Sequence, residues 1–304
     1  MARTRPELAR IGAAAPGRIA AALVLALVSA APAPPDGSPE RVSFPSADGR
    51  TALTGYVFTP AGPRDGRVPA VVMMHGRQGA YSTRADGRYD ATTLSQRHRM
   101  WGALWAARGY VAILVDGFGP RGYPQGFARF SYKDRPEELN EVTVRPLDAY
   151  AALAYLRTRA DVIADRIGLQ GWSNGGSAAL ATMSADAPGI AGHAPGFRAA
   201  LVFYPGCGLH HRFNAGYKPY APVRIFQGSA DEEVSPKVCE RLIERSRAQG
   251  GDVALTLYPD ASHDFDDPGR RRQGDAANAR AKADATAQAA RFFAEQLGGR
   301  AGTQ

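Results

Sequence analysis

Ser173 lies in Gly171-Trp172-Ser173-Asn174-Gly175-Gly176, a G-x-S-x-G pattern. A serine hydroxyl is a poor nucleophile at neutral pH. To attack a carbonyl it needs a base to take its proton, an acid to orient that base, and donors for the oxyanion that forms. A chain with 34 glycines can produce the pattern by chance, so its surroundings decide. Arg166–Gln170 reads as a short strand, and the residues after Ser173 read as a helix through about Met183. In a strand-turn-helix the serine sits on a tight elbow, where side chains larger than hydrogen at the flanking positions would meet backbone. This context predicts a nucleophile; the alternative is a glycine-rich loop around a buried structural serine.

The partners must come from elsewhere in the chain. Val223–Gly228 reads as a strand, and Asp231 in the loop after it is the expected acid. Glu232 and Glu233 are its rivals. Their other role is in the first turn of a helix starting near Ser235, where the helix dipole favours a carboxylate. Of six histidines, His263 alone follows the acid, five residues beyond the last strand. His75 precedes the nucleophile, His98 lies in an Arg-rich stretch, and His193, His210 and His211 precede the acid. The order Ser173, Asp231, His263 is that of an α/β-hydrolase. The oxyanion donors are expected to be the backbone N–H of Asn174 and of Arg77, with Gly76 the alternative to Arg77. Tyr81, Trp172 and the aromatics between Phe118 and Phe130 are candidates to shape the pocket. So are Asp116 and Arg121, at the sheet edge where active-site loops gather. A buried Asp116–Arg121 ion pair that fixes the loop is the other reading.

The elements that position these residues alternate along the chain. Val42–Phe44 and Leu53–Phe58 read as an antiparallel pair with its turn around Asp48-Gly49. Val68–Met74 is continuously apolar, as in a strand covered on both faces. Tyr110–Val115, Ala199–Tyr204 and Val253–Tyr258 are further strands. Helices are expected over Met100–Arg108, Glu137–Arg159, Ser235–Ala248 and Ala276–Leu297, and a long loop over Asp116–Arg135. The alternation predicts an α/β fold: a mostly parallel central sheet with helices on both faces, within one domain over residues 41–300.

Residues 1–30 read as a signal peptide. Arg3, Arg5, Arg10 and Arg18 precede the apolar run Ile19–Val28, and small residues follow at cleavage spacing. An uncleaved anchor is the alternative. Residues 31–40 form a Pro-rich linker. The mature protein is expected to be exported, periplasmic or extracellular, with no stable membrane span. Removing residues 1–30 lowers the formal charge from +8 to +5, because four arginines and one glutamate leave. Arg270-Arg271-Arg272 is the one tight basic run, and no basic stripe with interleaved aromatics exists, so no nucleic-acid partner is expected. Cys207 and Cys239 have no metal-site spacing, so no structural metal site is expected. In an exported chain such a pair is a disulfide candidate; two separate buried thiols are the other reading.

Several segments together resemble the dienelactone hydrolase family of α/β-hydrolases. They are Met74-His75-Gly76-Arg77-Gln78-Gly79-Ala80-Tyr81-Ser82, Val115-Asp116-Gly117-Phe118-Gly119-Pro120-Arg121-Gly122, the Ser173 turn, Phe203-Tyr204-Pro205-Gly206-Cys207, and Tyr258-Pro259-Asp260-Ala261-Ser262-His263-Asp264-Phe265. The resemblance runs from about Val42 to Leu297. It implies a Cys or Ser nucleophile with Asp and His, no cofactor, and hydrolysis of a small-molecule ester or lactone. The family's founding enzymes are cytoplasmic and use cysteine, whereas this chain has serine and an export signal, so the dienelactone substrate does not carry over. The resemblance to exported members also implies a Cys207–Cys239 disulfide. Three other readings share the scaffold: a secreted serine peptidase of the prolyl-oligopeptidase type, a polyester or cutinase-like hydrolase, and a non-catalytic binding protein. The chain is short for the propeller that the first usually carries, and the last normally lacks a triad member.

Overall fold

The computed structural model describes residues 38–62 and 66–298, besides Met1. The expected signal peptide and most of the linker therefore lie outside the described residues. Two units, Met1–Pro32 and Ala33–Gln304, make up the chain, and the description below is of the second.

Eight strands form one sheet: β1 (Glu40–Pro45), β2 (Ala52–Phe58), β3 (Val68–Met74), β4 (Val111–Asp116), β5 (Val162–Trp172), β6 (Ala200–Phe203), β7 (Val223–Gly228) and β8 (Val253–Tyr258). Their order is β1-β2-β4-β3-β5-β6-β7-β8. Strands β1, β2 and β4 pair antiparallel, and every other pairing is parallel. Glu40, expected as the end of the linker, already pairs with Val57 in the sheet. The helices are α1 (Gln96–Ala107), α2 (Arg145–Thr158), α3 (Asn174–Met183), α4 (Pro236–Ala248), the short α5 (Arg270–Gln273) and α6 (Ala276–Leu297).

Alternation along the central strands divides the core. Val72 and Met74 of β3 join the cluster that contains α2, α3 and the buried side of α4. Val71 and Met73 join the other, with Trp101 and Trp105 of α1 and Phe293 of α6. Every residue of β4 is buried. Coverage on both faces is why these strands read as unbroken apolar runs.

The strand order reverses at β3, which lies between β4 and β5. Ligands in open α/β sheets bind outside the carboxyl ends of strands at such a point. Met74 and Gly171 pair across the last rung of β3 and β5. The loop after Met74 and the turn after Trp172 therefore emerge side by side.

Three elements differ from the sequence reading. Helix α1 starts at Gln96 rather than Met100, because Ser95 caps it by accepting from the His98 N–H at 3.3 Å. Arg97 and His98 in its first turn are buried, so this polar start is an inward face. Helix α2 starts at Arg145 rather than Glu137. Asn140 Oδ1 accepts from the Val142 and Thr143 N–H groups, and Pro146 tolerates only the first turn of a helix. Strand β5 extends in both directions from the predicted Arg166–Gln170, and a register irregularity between Val68 and Ala70 accompanies its exposed first half.

Cys207 and Cys239 form a disulfide with a Cα–Cα distance of 5.1 Å, tying the loop after β6 to α4. The bridged residues are 32 apart in sequence. Closing a loop of that length restricts the unfolded chain by about 3–4 kcal/mol. Replacing both cysteines by serine is therefore expected to lower the free energy of urea unfolding by roughly that amount. An unchanged unfolding midpoint and slope would contradict it.

Candidate active site

Ser173 occupies the bend between β5 and α3 with φ 50° and ψ −115°, a conformation that non-glycine residues rarely adopt. The bend is possible because of its glycines. A Cβ on Gly171 would lie 2.2 Å from the Gly175 carbonyl oxygen, and one on Gly175 would lie 2.1 Å from that of Met74. Hydrogen alone fits at either position.

His263 Nε2 lies 3.0 Å from Ser173 Oγ, and its Nδ1 lies 2.8 Å from Asp231 Oδ2. With the carboxylate holding the Nδ1 proton, Nε2 presents its lone pair to the serine hydroxyl. Asp231 is fixed in turn. Its Oδ1 accepts from the Glu233 and Val234 N–H groups at 2.9 Å each, and its Oδ2 accepts from Gln227 Nε2 at 2.8 Å. Burial of the His263 ring opposes its charging. The hydrogen bond that its Nδ1–H donates to Asp231, with Asp264 and Glu233 nearby, outweighs burial and leaves the imidazole pKa above its ordinary value.

The two rival carboxylates do other things. Glu232 Oε2 accepts the His263 N–H at 2.9 Å. The buried Glu233 accepts from Arg77 Nε and Nη2, both at 2.9 Å, and from Arg129 Nε at 2.8 Å. Arg77 Nη1 donates to the Phe127 carbonyl at 3.0 Å, and the Phe127 N–H donates to the Arg77 carbonyl at 2.8 Å. One network thus joins the loop after β3, the acid loop after β7, and the strap after β4.

Asn174 opens α3, so its N–H has no carbonyl to meet inside the helix. Gly76 approaches Ser173 from the β3 side; a Cβ built on it would sit 3.4 Å from the Ser173 Cβ. Arg145, which the sequence reading passed over inside a longer helix, braces both sides. It is fully buried, and its Nη1 donates to the His75 carbonyl at 2.8 Å and to Asn174 Oδ1 at 2.6 Å. Its guanidinium lies over the Phe118 ring at 5.0 Å, and burial lowers its pKa to about 10.

A cleft of about 30 Å³ opens beside Ser173, on the scale of two water molecules. Tyr81 lines it, as do Arg97 and His98 of α1, which the sequence reading did not assign to the site. Trp172, Asp116 and Arg121 do not line it. Trp172 ends β5 with its side chain turned into the face covered by α1, fully buried beside Trp101 and Phe203. Asp116 accepts from the Phe118 and Gly119 N–H groups and from Tyr81 OH, so it shapes the turn after β4 and borders a separate cleft. Arg121 pairs with Asp148 of α2 at 2.7 and 2.8 Å, not with Asp116. The aromatics of the strap divide: Phe118 is buried against His75, and Phe130 is exposed.

Two residues beyond Asp264 lies the fully buried Asp266. Trp101 Nε1 donates to it at 2.8 Å, Trp172 Nε1 at 2.9 Å, and Tyr204 OH also donates to it. Arg97 stands 3.3 Å from the same carboxylate. The signal in the sequence was the tryptophans: a buried indole N–H needs an acceptor, and Asp266 is that acceptor for two of the three.

Among the described residues, Glu233, His263 and Asp264 bring potential ligand atoms within 4.8 Å of one another. Those atoms are already engaged with Arg77, Ser173 and Arg97. Among the described residues no helix is long and apolar enough to cross a membrane.

The dienelactone hydrolase family profile matches residues 53–297. A curated relative from Bradyrhizobium sp., a probable 2-oxo-3-(5-oxofuran-2-ylidene)propanoate lactonase, is 27% identical over 66% of this chain and 74% of its own. Human dipeptidyl peptidase 8 is 32% identical over 158 residues, which are 51% of this chain and 16% of that protein. In fold, the chain is similar to a putative dienelactone hydrolase from Klebsiella pneumoniae, with TM-score 0.61 and 19% identity over 84% of this chain and 98% of that one. It is equally similar to esterase 2 of Thermogutta terrifontis, with TM-score 0.61 and 22% identity over 86% and 94%.

Proposed function

Because this chain belongs to the dienelactone hydrolase family, we propose that it is a serine hydrolase that cleaves short carboxylic esters or lactones through an acyl-enzyme. The observation that carries the reading is the continuous relay from Asp231 through His263 to Ser173. His263 takes the Ser173 proton as Oγ attacks the carbonyl carbon. The backbone N–H groups of Asn174 and Arg77 receive the oxyanion. The imidazolium then protonates the departing alkoxide, and a water activated by the same ring releases the acid. Asp231 stabilises the imidazolium in both half-reactions. The small cleft favours short acyl groups, and the disulfide supports export to an oxidising compartment.

A fluorophosphonate probe is expected to add to Ser173, identified by peptide mass. The enzyme is expected to turn over an aryl acetate but not a peptide anilide, although dipeptidyl peptidase 8 is 32% identical over 158 residues of the chain. Labelling elsewhere with Ser173 unmodified would refute the nucleophile. Faster cleavage of the anilide would replace the esterase reading with the peptidase one.

A further inference from the structure

We propose that this cleft selects uncharged ester substrates and discriminates against those carrying a carboxylate near the scissile bond; the inference rests on the hydrolase reading above. A carboxylate-bearing substrate is favoured by a cation facing Ser173 whose charge no protein carboxylate already pairs. Two arginines line the cleft, Arg77 and Arg97. The charge of each is already met by carboxylates of the protein. All three nitrogens of Arg77 are engaged, two by Glu233 and one by the Phe127 carbonyl. Arg97 Nη2 meets Asp264 at 2.8 Å and Asp267 at 3.3 Å, and its Nε faces Asp266 at 3.3 Å. Arg129, which shares Glu233 with Arg77, is divided between Glu232 and Glu233.

The carboxylates, by contrast, crowd the reacting ring. Asp231 sits on Nδ1, Glu233 lies 3.9 Å from Nε2, and Asp264 follows in sequence. Burial alone would raise the pKa values of Glu233 and Asp264. Arg77 beside the first and Arg97 beside the second hold both low, Asp264 at about 2, so both are anionic at neutral pH. Asp267 lines the cleft with its side chain 38% exposed. The chain's net positive charge is thus not presented to a substrate. An incoming carboxylate would have to displace one of these ion pairs or accept repulsion from them, and like charges brought together cost several kcal/mol.

The test compares two acetate esters of one size, 4-acetoxybenzoate and its uncharged isostere 4-acetoxybenzamide. Each kcat/KM is divided by that ester's alkaline hydrolysis rate, which removes the difference in leaving-group reactivity. At low ionic strength the benzamide is expected to be preferred about tenfold or more. That preference should shrink severalfold in about 1 M salt, where the Debye length is about 3 Å. Asp267→Asn should narrow it as well, by removing one carboxylate from the cleft. Equal values, a preference for the benzoate, or a preference that neither salt nor Asp267→Asn changes would overturn the inference while leaving the esterase intact. No turnover of either ester would overturn both.

Discussion

Ser173→Ala is expected to lower kcat for a short aryl acetate roughly 10⁴-fold or more, and His263→Ala nearly as much. The double variant should be little worse than either single one. The reason is that the two residues form one device. Without Oγ there is nothing for His263 to deprotonate, and without Nε2 the hydroxyl 3.0 Å away keeps its proton. Ser173→Ala should unfold much like the parent, because the glycines, and not the hydroxyl, permit the bend. The same device sets the pH dependence. His263 must be neutral to act as base, and its pKa lies above the ordinary 6.5. Activity should therefore fall as pH drops through a value above 6.5, whereas an unpaired histidine would hold activity to lower pH. Losses that multiplied in the double variant would show two independent contributions and refute the relay.

Asp266→Asn is expected to destabilise the protein more than any single contact in the site would suggest, by about 3–5 kcal/mol. Asp266 has no solvent exposure and serves two indole N–H groups and one phenol. An amide can offer one oxygen. Its nitrogen must point at a donor, which leaves at least one buried N–H or O–H without a partner. It also removes one of the carboxylates facing the buried Arg97. Because Trp172 directly precedes Ser173, and Tyr204 packs on the His263 ring at 4.7 Å, activity should fall even where the variant folds. Urea unfolding measures the first effect, with Asp267→Asn, whose residue is part exposed, as the comparison. Equal stability of the two variants would show that Asp266 does not anchor the aromatic layer.

Much of this was legible along the chain. The glycines around Ser173 announce a bend that only they permit, and the apolar run of β3 and the strand β7 read with the bounds that the sheet has. Asp231 and His263 follow strands in the order the fold requires. Less legible were the residues that hold these in place. His98 read only as part of an Arg-rich polar stretch, because polar side chains in a first helical turn look alike from either side. Arg145 was hidden in an overlong helix, although Pro146 marks where that helix begins. Asp116 and Arg121 are near neighbours in sequence, yet the turn that Asp116 makes with its own backbone leaves Arg121 facing Asp148 on α2.

The sequence by itself determined most of the elements, their alternation and the three residues that the structure joins as Asp231, His263 and Ser173, because periodicity, glycine placement and order are local properties of a chain. Only the tertiary structure decided which charges remain available beside Ser173. Arg77 meets Glu233 across 156 positions, and Arg97 meets Asp267 across 170. Pairings at that separation depend on which loops the sheet order brings together. They, and not the number of arginines in the chain, set the charge that a substrate meets.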